Sequence, residues 1–201
     1  MPAGKPRYTV AQYLERERSE LDKHEYRDGE ILLMAGGTAD HSLIVANVIS
    51  ALHALLKGKP CRVYDSNLRV RIPRTILYTY PDVSVICGPR EPDPNDPAGE
   101  TITNPRLIVE VLSPSTEAYD RGEKFDRYRQ LDSLQEYVLV AQTAPRIEAY
   151  SRQGEGAWLL MPFSGLHRSA RVHCLDIELP LAEVYAGIEF TAASVENPGA
   201  F

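Results

Sequence analysis

Hydrophobic residues recur along the chain at two periods, and the switching between them sets out its elements. From Asp40 to Leu56 the apolar residues Ile44, Val45, Val48, Ile49, Leu52, Leu55 and Leu56 are spaced as on one helix face. Gly58 then stands where a glycine closes a helix. This predicts the longest helix, buried along one side. A first amphipathic helix is predicted from Thr9 to about Leu21, opened by the capping box Thr9-Val-Ala-Gln12 and carrying Val10, Tyr13 and Leu14 on its apolar side.

Elsewhere the period is two. His24 to Met34 reads as a hairpin turning at Asp28-Gly29. Cys61 to Ile72 reads as two short strands around Asp65-Ser-Asn67, with Arg69 and Arg71 alternating against Leu68, Val70 and Ile72 on one sheet face. Further strands are expected at Asp82 to Cys87, at the β-branched run Leu107 to Leu112, which has the character of a central strand, and at Glu136 to Ala141. A charged helix is expected from about Asp120 to Leu131. Alternating stretches at 146–151, 157–163 and 170–174 predict an antiparallel extension. Between Gly88 and Pro105 the many prolines predict a long irregular loop. The sum is an α/β (α+β) mixed sheet flanked by helices, in one domain spanning 1–201 with its core at about 8–190.

Composition changes this picture little. Hydrophobic residues make up 43% and charged residues 25% of 201 residues, which fits a globular chain with a real core. The net charge of −6 counts against binding nucleic acid by bulk electrostatics, so any such contact must be local. Cys61, Cys87 and Cys174 are far apart and form no CxxC pair, which argues against a disulfide framework and for a reducing cytoplasm. No apolar leader or membrane span is read in the sequence.

Two acids are candidates for chemistry. Glu110 interrupts Ile-Val-Glu-Val-Leu, where a carboxylate is buried on either face unless a cation or metal ion stabilises it; an ion pair or an edge position serves equally well. Asp82, after Pro81, reads as the start of a strand or as a turn. Two carboxylates on adjacent strands, with water and phosphate oxygens, suit Mg²⁺ or Mn²⁺, whereas zinc wants imidazole or thiolate. The hydroxyls of Ser113, Ser115 and Thr116 could cap the following helix or hold a phosphate. Arg69 and Arg71, and the helical bases Arg121, Lys124 and Arg127, are candidates for DNA contact. Interleaved Glu117, Asp120, Glu123 and Asp126 make the helical bases more readily a salt-bridged surface, and only Lys124 is kept as a functional candidate. The sequence contains no nucleophile elbow and no phosphate-cradling glycine loop.

Tyr80-Pro-Asp82, Ile108-Val-Glu-Val-Leu-Ser-Pro-Ser-Thr116, Asp120-Arg-Gly-Glu-Lys124, Tyr128 and Glu136-Tyr137 together resemble the Uma-two family of restriction-endonuclease-like proteins, within the PD-(D/E)XK nuclease superfamily. The resemblance runs from about Tyr8 to Phe190. It implies a restriction-endonuclease-like core, Asp82 and Glu110 as metal ligands with a backbone carbonyl such as that of Val111, and Mg²⁺ (or Mn²⁺) as cofactor. The superfamily's lysine slot is Leu112 here, and the Uma-two pattern moves the lysine to Lys124, where it orients water and stabilises phosphoryl charge. Glu25 matches an acidic residue of the family, which implies an outer or third metal ligand and otherwise reads as a solvated hairpin carboxylate. His41 matches a histidine of the family, which implies a substrate contact, although a capping or surface histidine is the readier reading. The implied reaction is hydrolysis of DNA phosphodiester bonds, with a homodimer as one way to cut both strands. Two alternatives stand beside it: an inactive nuclease fold that only binds, and a metal-independent carboxylate-pair hydrolase.

Overall fold

In the computed structural model, which describes residues 6–34 and 36–190, the chain runs α1 (Val10–Ser19), β1 (His24–Arg27), β2 (Glu30–Leu33), α2 (Ala39–Leu55), β3 (Cys61–Asp65), β4 (Arg69–Ile72), β5 (Leu77–Thr79), β6 (Val83–Cys87) and β7 (Thr101–Ile102). It continues through β8 (Leu107–Leu112), α3 (Glu117–Arg121), α4 (Glu123–Tyr128), β9 (Glu136–Ala141), β10 (Arg146–Arg152), β11 (Trp158–Ser164), β12 (Ser169–Val172), β13 (Ile177–Pro180) and α5 (Leu181–Val184).

A six-stranded sheet in the order β11-β10-β9-β8-β6-β3 forms the centre. Its pairs are antiparallel except β8 with β9, which are parallel and joined by the crossover carrying α3 and α4. A second sheet has the order β2-β1-β5-β4-β7, and β12 with β13 form a hairpin. β8 is buried along its whole length. Leu107, Val109 and Val111 pack with Ile44, Val48 and Leu52 of α2. Ile108 and Leu112, on the other face, join Val70, Ile72 and Leu77 of the second sheet and Tyr128 of α4. The sheet is therefore covered on both sides, as its unbroken apolar run requires.

Local signals formed as expected where the chemistry is local. Thr9 and Gln12 make the reciprocal capping box. Asp28 and Gly29 both take positive φ, 51° and 94°, as the tight hairpin turn demands. Differences arise where partners are remote. The expected charged helix begins at Glu117 and is interrupted at Gly122, whose φ of −112° and ψ of −101° are not helical. The breaker-rich loop carries β7, which pairs in parallel with β4, and a bridge from Pro92 to Ile102.

The cysteine expectation is overturned. Cys61 and Cys87 face each other across β3 and β6 and form a disulfide, leaving Cys174 as the free thiol. Strand register brings together two residues 26 apart, which no sequence spacing reveals. The cysteines thus lend no support to a reducing compartment. Among the described residues no helix is long and apolar enough to cross a membrane.

Candidate active site

β6 and β8 pair as far as Val83 opposite Val109, so continuing that register brings Asp82, the residue before β6, next to Glu110 on the alternate face. That face is the reverse of the one Val83 and Val109 present to α2. Asp82 Oδ2 accepts the Val111 N–H at 2.7 Å, and the Asp82 N–H lies 3.5 Å from Glu110 Oε2. Pro81 has no N–H to offer at the strand's entry, and the chain delivers Asp82 to the end of the ladder.

Lys124 reaches this couple from α4. Its Nζ lies 2.7 Å from Glu110 Oε1 and 3.2 Å from Asp120 Oδ1, with the Lys124 and Glu110 side chains only 7% and 4% exposed. The Tyr128 hydroxyl donates to the same Glu110 oxygen at 2.8 Å. Asp120, Lys124 and Tyr128 are four apart in sequence and converge despite the break at Gly122. Burial pushes the Glu110 carboxyl upward, with Asp82 and Asp120 adding to the rise, while the Lys124 charge opposes it and favours the carboxylate. For Lys124 burial works to lower the pKa, but the carboxylates of Glu110 and Asp120 outweigh it and hold the ammonium protonated.

Glu25 of β1 is buried beside them. Its Oε2 accepts the Thr79 hydroxyl at 3.0 Å, and its Oε1 accepts the Tyr119 hydroxyl in a short bond. His41, near the start of α2, sets Nε2 3.3 Å from Asp82 Oδ2. The bond to Asp82 raises the His41 pKa against the effect of burial. Ser113 bonds the hydroxyls of Ser115 and Thr116; Thr116, at the head of α3, makes no side-chain cap, so the capping expectation is not met. One cavity of about 510 Å³ takes in Glu25, His41, Asp82, Glu110, Val111, Ser113 and Lys124, with Leu32, Leu33 and Met34 at its wall.

Arg69 and Arg71 are not in that cavity. Arg69 is buried, bonding Asp96 at 3.0 Å and the Tyr80 hydroxyl at 2.9 Å, and Arg71 pairs with Asp93. Both guanidinium groups pin the 88–100 loop against the second sheet, which corrects the expectation that they face DNA. Arg121 pairs with Glu117 and Glu148, and Arg127 with Asp28 and Glu123. Tyr119 and Gly37 line the cavity without having been singled out in the sequence. Tyr128 and Asp120 stood there only as members of a motif string, although their spacing of four from Lys124 is a signal of a shared helix face.

Among the described residues no three acidic, imidazole or thiol groups form a closed metal cage. The donor chemistry nonetheless fits a hard cation, which takes one or two carboxylates and fills the rest of its shell with water and phosphate oxygens. Asp82 and the Val111 carbonyl, with Glu110 beside them, are donors of that kind.

A model of the Uma2 family, described as "Putative restriction endonuclease", matches residues 10–182. The chain belongs to the Uma2 family. Two uncharacterized proteins of Synechocystis sp. (strain PCC 6803) are each 38% identical to it. One aligns over 185 residues, covering 92% of this chain and 95% of its own, and the other over 157 residues, covering 78% and 88%. A crystal structure from Anabaena variabilis, described as a "putative nuclease belonging to DUF820", superposes with a TM-score of 0.67 at 19% identity, over 86% of this chain and 97% of its own. At that identity the likeness concerns the fold. This Uma2 chain therefore has the mixed α/β architecture of that neighbour, and in it the half-buried Asp82 and the buried Glu110 and Lys124 line one cavity.

Proposed function

We propose that the chain is an endonuclease that hydrolyses DNA phosphodiester bonds with the help of Mg²⁺ or Mn²⁺, working as one domain over about 8–190. The observation that supports it most is the meeting of three side chains remote in sequence: Asp82, immediately before β6, beside Glu110 of β8, with the Lys124 ammonium 2.7 Å from Glu110. Asp82, Glu110 and the Val111 carbonyl would hold the cation. When bound, such an ion would supply Lewis acidity and make its bound water more acidic than bulk water.

The remaining steps belong to the chain. The Lys124 ammonium is a fixed positive charge beside the carboxylates, suited to orienting a water and to meeting the negative charge that develops on a phosphoryl group. Asp120 and Tyr128 hold Lys124 and Glu110 in place. Glu25, fixed by Thr79 and Tyr119, assists from the cavity wall. The Ser113 hydroxyl can donate to a phosphate oxygen. DNA contact is local, because the chain carries a net charge of −6. A homodimer would place two such sites on a duplex. A DNA substrate favours the cytoplasm; the Cys61–Cys87 disulfide weighs against it.

The test is incubation with supercoiled plasmid and with single-stranded DNA in Mg²⁺, Mn²⁺ or EDTA, using the native protein, Asp82→Ala and Lys124→Ala. Cutting by the native protein that needs the cation and is lost in both variants is expected. Cutting that persists in EDTA would point to the carboxylate pair acting alone. A nuclease fold that binds without cutting has one observation behind it, the engagement of Glu110 Oε1 by both Lys124 and Tyr128; cation binding without cutting of either DNA would favour it.

A further inference from the structure

His41 is placed with more care than a substrate contact at a cavity wall requires. Thr38 caps α2 by accepting the His41 N–H on its hydroxyl at 3.1 Å, which fixes where the helix begins and where this side chain leaves it. The ring is then seated by an absence. A Cβ on Gly37 would lie 2.6 Å from His41 Nδ1 and 2.9 Å from its Cγ, closer than atoms can approach. Only glycine leaves room for the imidazole there. With Nδ1 turned to the backbone of Gly37, Nε2 faces Asp82 Oδ2 at 3.3 Å, and the ring also meets the Val111 carbonyl.

Those two groups are among the three assigned to the cation above, and the spacing is informative. Donors that surround an octahedral ion at about 2.1 Å stand roughly 3 Å apart along each edge. The 3.3 Å between Nε2 and Oδ2 is close to such an edge. An imidazole aimed at a carboxylate oxygen that must also bind a cation either competes for that oxygen or joins the same shell. The Val111 carbonyl, which the ring also meets, supplies a further donor to the shell.

We infer that His41, through Nε2, is a protein ligand of the cation shared with Asp82 and the Val111 carbonyl, and that the site accordingly favours Mn²⁺ over Mg²⁺. This rests on the proposed metal-dependent reading of the site. The chemical reason is ligand character: imidazole nitrogen suits first-row transition ions, whereas Mg²⁺ takes oxygen donors and water.

The experiment reads the ligand directly. Mn²⁺ is added to the metal-stripped native protein and the bound ion is examined by electron spin-echo envelope modulation, which registers a directly coordinated imidazole nitrogen. Binding of Mn²⁺ and of Mg²⁺ is measured by calorimetry. The same measurements are made on His41→Gln and on Gly37→Ala, which keeps the histidine but denies it its seat. Nitrogen modulation in the native protein, absent in His41→Gln and weakened in Gly37→Ala, is expected. Mn²⁺ affinity should fall on the order of tenfold in His41→Gln while Mg²⁺ affinity changes by less than about twofold. Retained Mg²⁺ binding also shows that the variant is folded. Bound Mn²⁺ without nitrogen modulation, or modulation that survives in His41→Gln, overturns the inference and leaves the metal-dependent reading standing. Failure of the native protein to bind either ion overturns both.

Discussion

Lys124 and Glu110 meet inside the protein, Nζ to Oε1 at 2.7 Å, on a helix and a strand that share no local sequence. Neither charge can be left alone there. Removing one member of a buried pair typically costs about 3–5 kcal/mol, because the other stays desolvated and uncompensated. Lys124→Met is therefore expected to lower unfolding stability by about that amount, and Glu110→Gln/Lys124→Met to recover part of it. Urea unfolding followed by the fluorescence of the single tryptophan, Trp158, measures both. A double variant no more stable than Lys124→Met would show that the pair is not what holds the site.

Arg69 and Asp96 make a second buried pair, at 3.0 Å, with Thr101 donating to the same Asp96 oxygen at 2.7 Å. Burial alone would raise the Asp96 pKa, but the bonds from Thr101 and Arg69 overcome it and hold the carboxyl below its ordinary range. A carboxyl whose pKa is lowered by folding contributes stability that is present above its unfolded pKa, near 4, and is lost as pH falls through the folded value. Asp96→Asn should thus destabilise at pH 7, and its difference from the native protein should shrink as pH is lowered toward about 3. Thermal unfolding at several pH values checks this. A gap that stays constant with pH contradicts it.

What could be read from the sequence, and what could not, divides by distance along the chain. The spacing from Ile44 to Leu52 and the run Leu107–Leu112 are local patterns, and they became α2 and the buried strand β8. The opposition of Asp82 and Glu110 depends on register between strands, and without the family resemblance neither acid stood out from a turn residue or an ion-pair partner. Arg69 was misjudged because Asp96 lies 27 residues away, in a loop whose prolines hid the buried carboxylates. The role of Gly37 could not be read at all, since it consists of space for a ring that arrives from the next helix.

The disulfide makes a simple prediction. Cys61 and Cys87 are bonded, and the thiol of Cys174 is pushed well above its usual range by burial and by the neighbouring charge of Glu136. Thiolate is the reactive form, so native protein prepared without reductant should react negligibly with a thiol reagent at pH 8. Denaturation should expose one reactive thiol, and reduction after denaturation three. Fast reaction of two or more thiols in the native protein would mean that the cross-strand bond is absent.

Glu25 offers the means to separate direct from indirect participation in the proposed chemistry. Both its carboxylate oxygens are already engaged by hydroxyl donors, Thr79 at 3.0 Å and Tyr119 more closely. A group so occupied acts best by orienting what lies beside it, and outer groups of this sort are usually worth 10- to 100-fold in metal affinity or activity, about. Glu25→Gln is therefore expected to slow single-turnover cleavage in Mn²⁺ by roughly tenfold, whereas Asp82→Asn should abolish it. Tyr119→Phe should slow it by a similar factor, and the double variant should lose little more than either alone, because the two side chains act through one bond. Cleavage rates for the four variants decide the matter. If Glu25→Gln is as inactive as Asp82→Asn, Glu25 touches the reacting centre directly; if the two single losses multiply, Tyr119 acts elsewhere in the cavity.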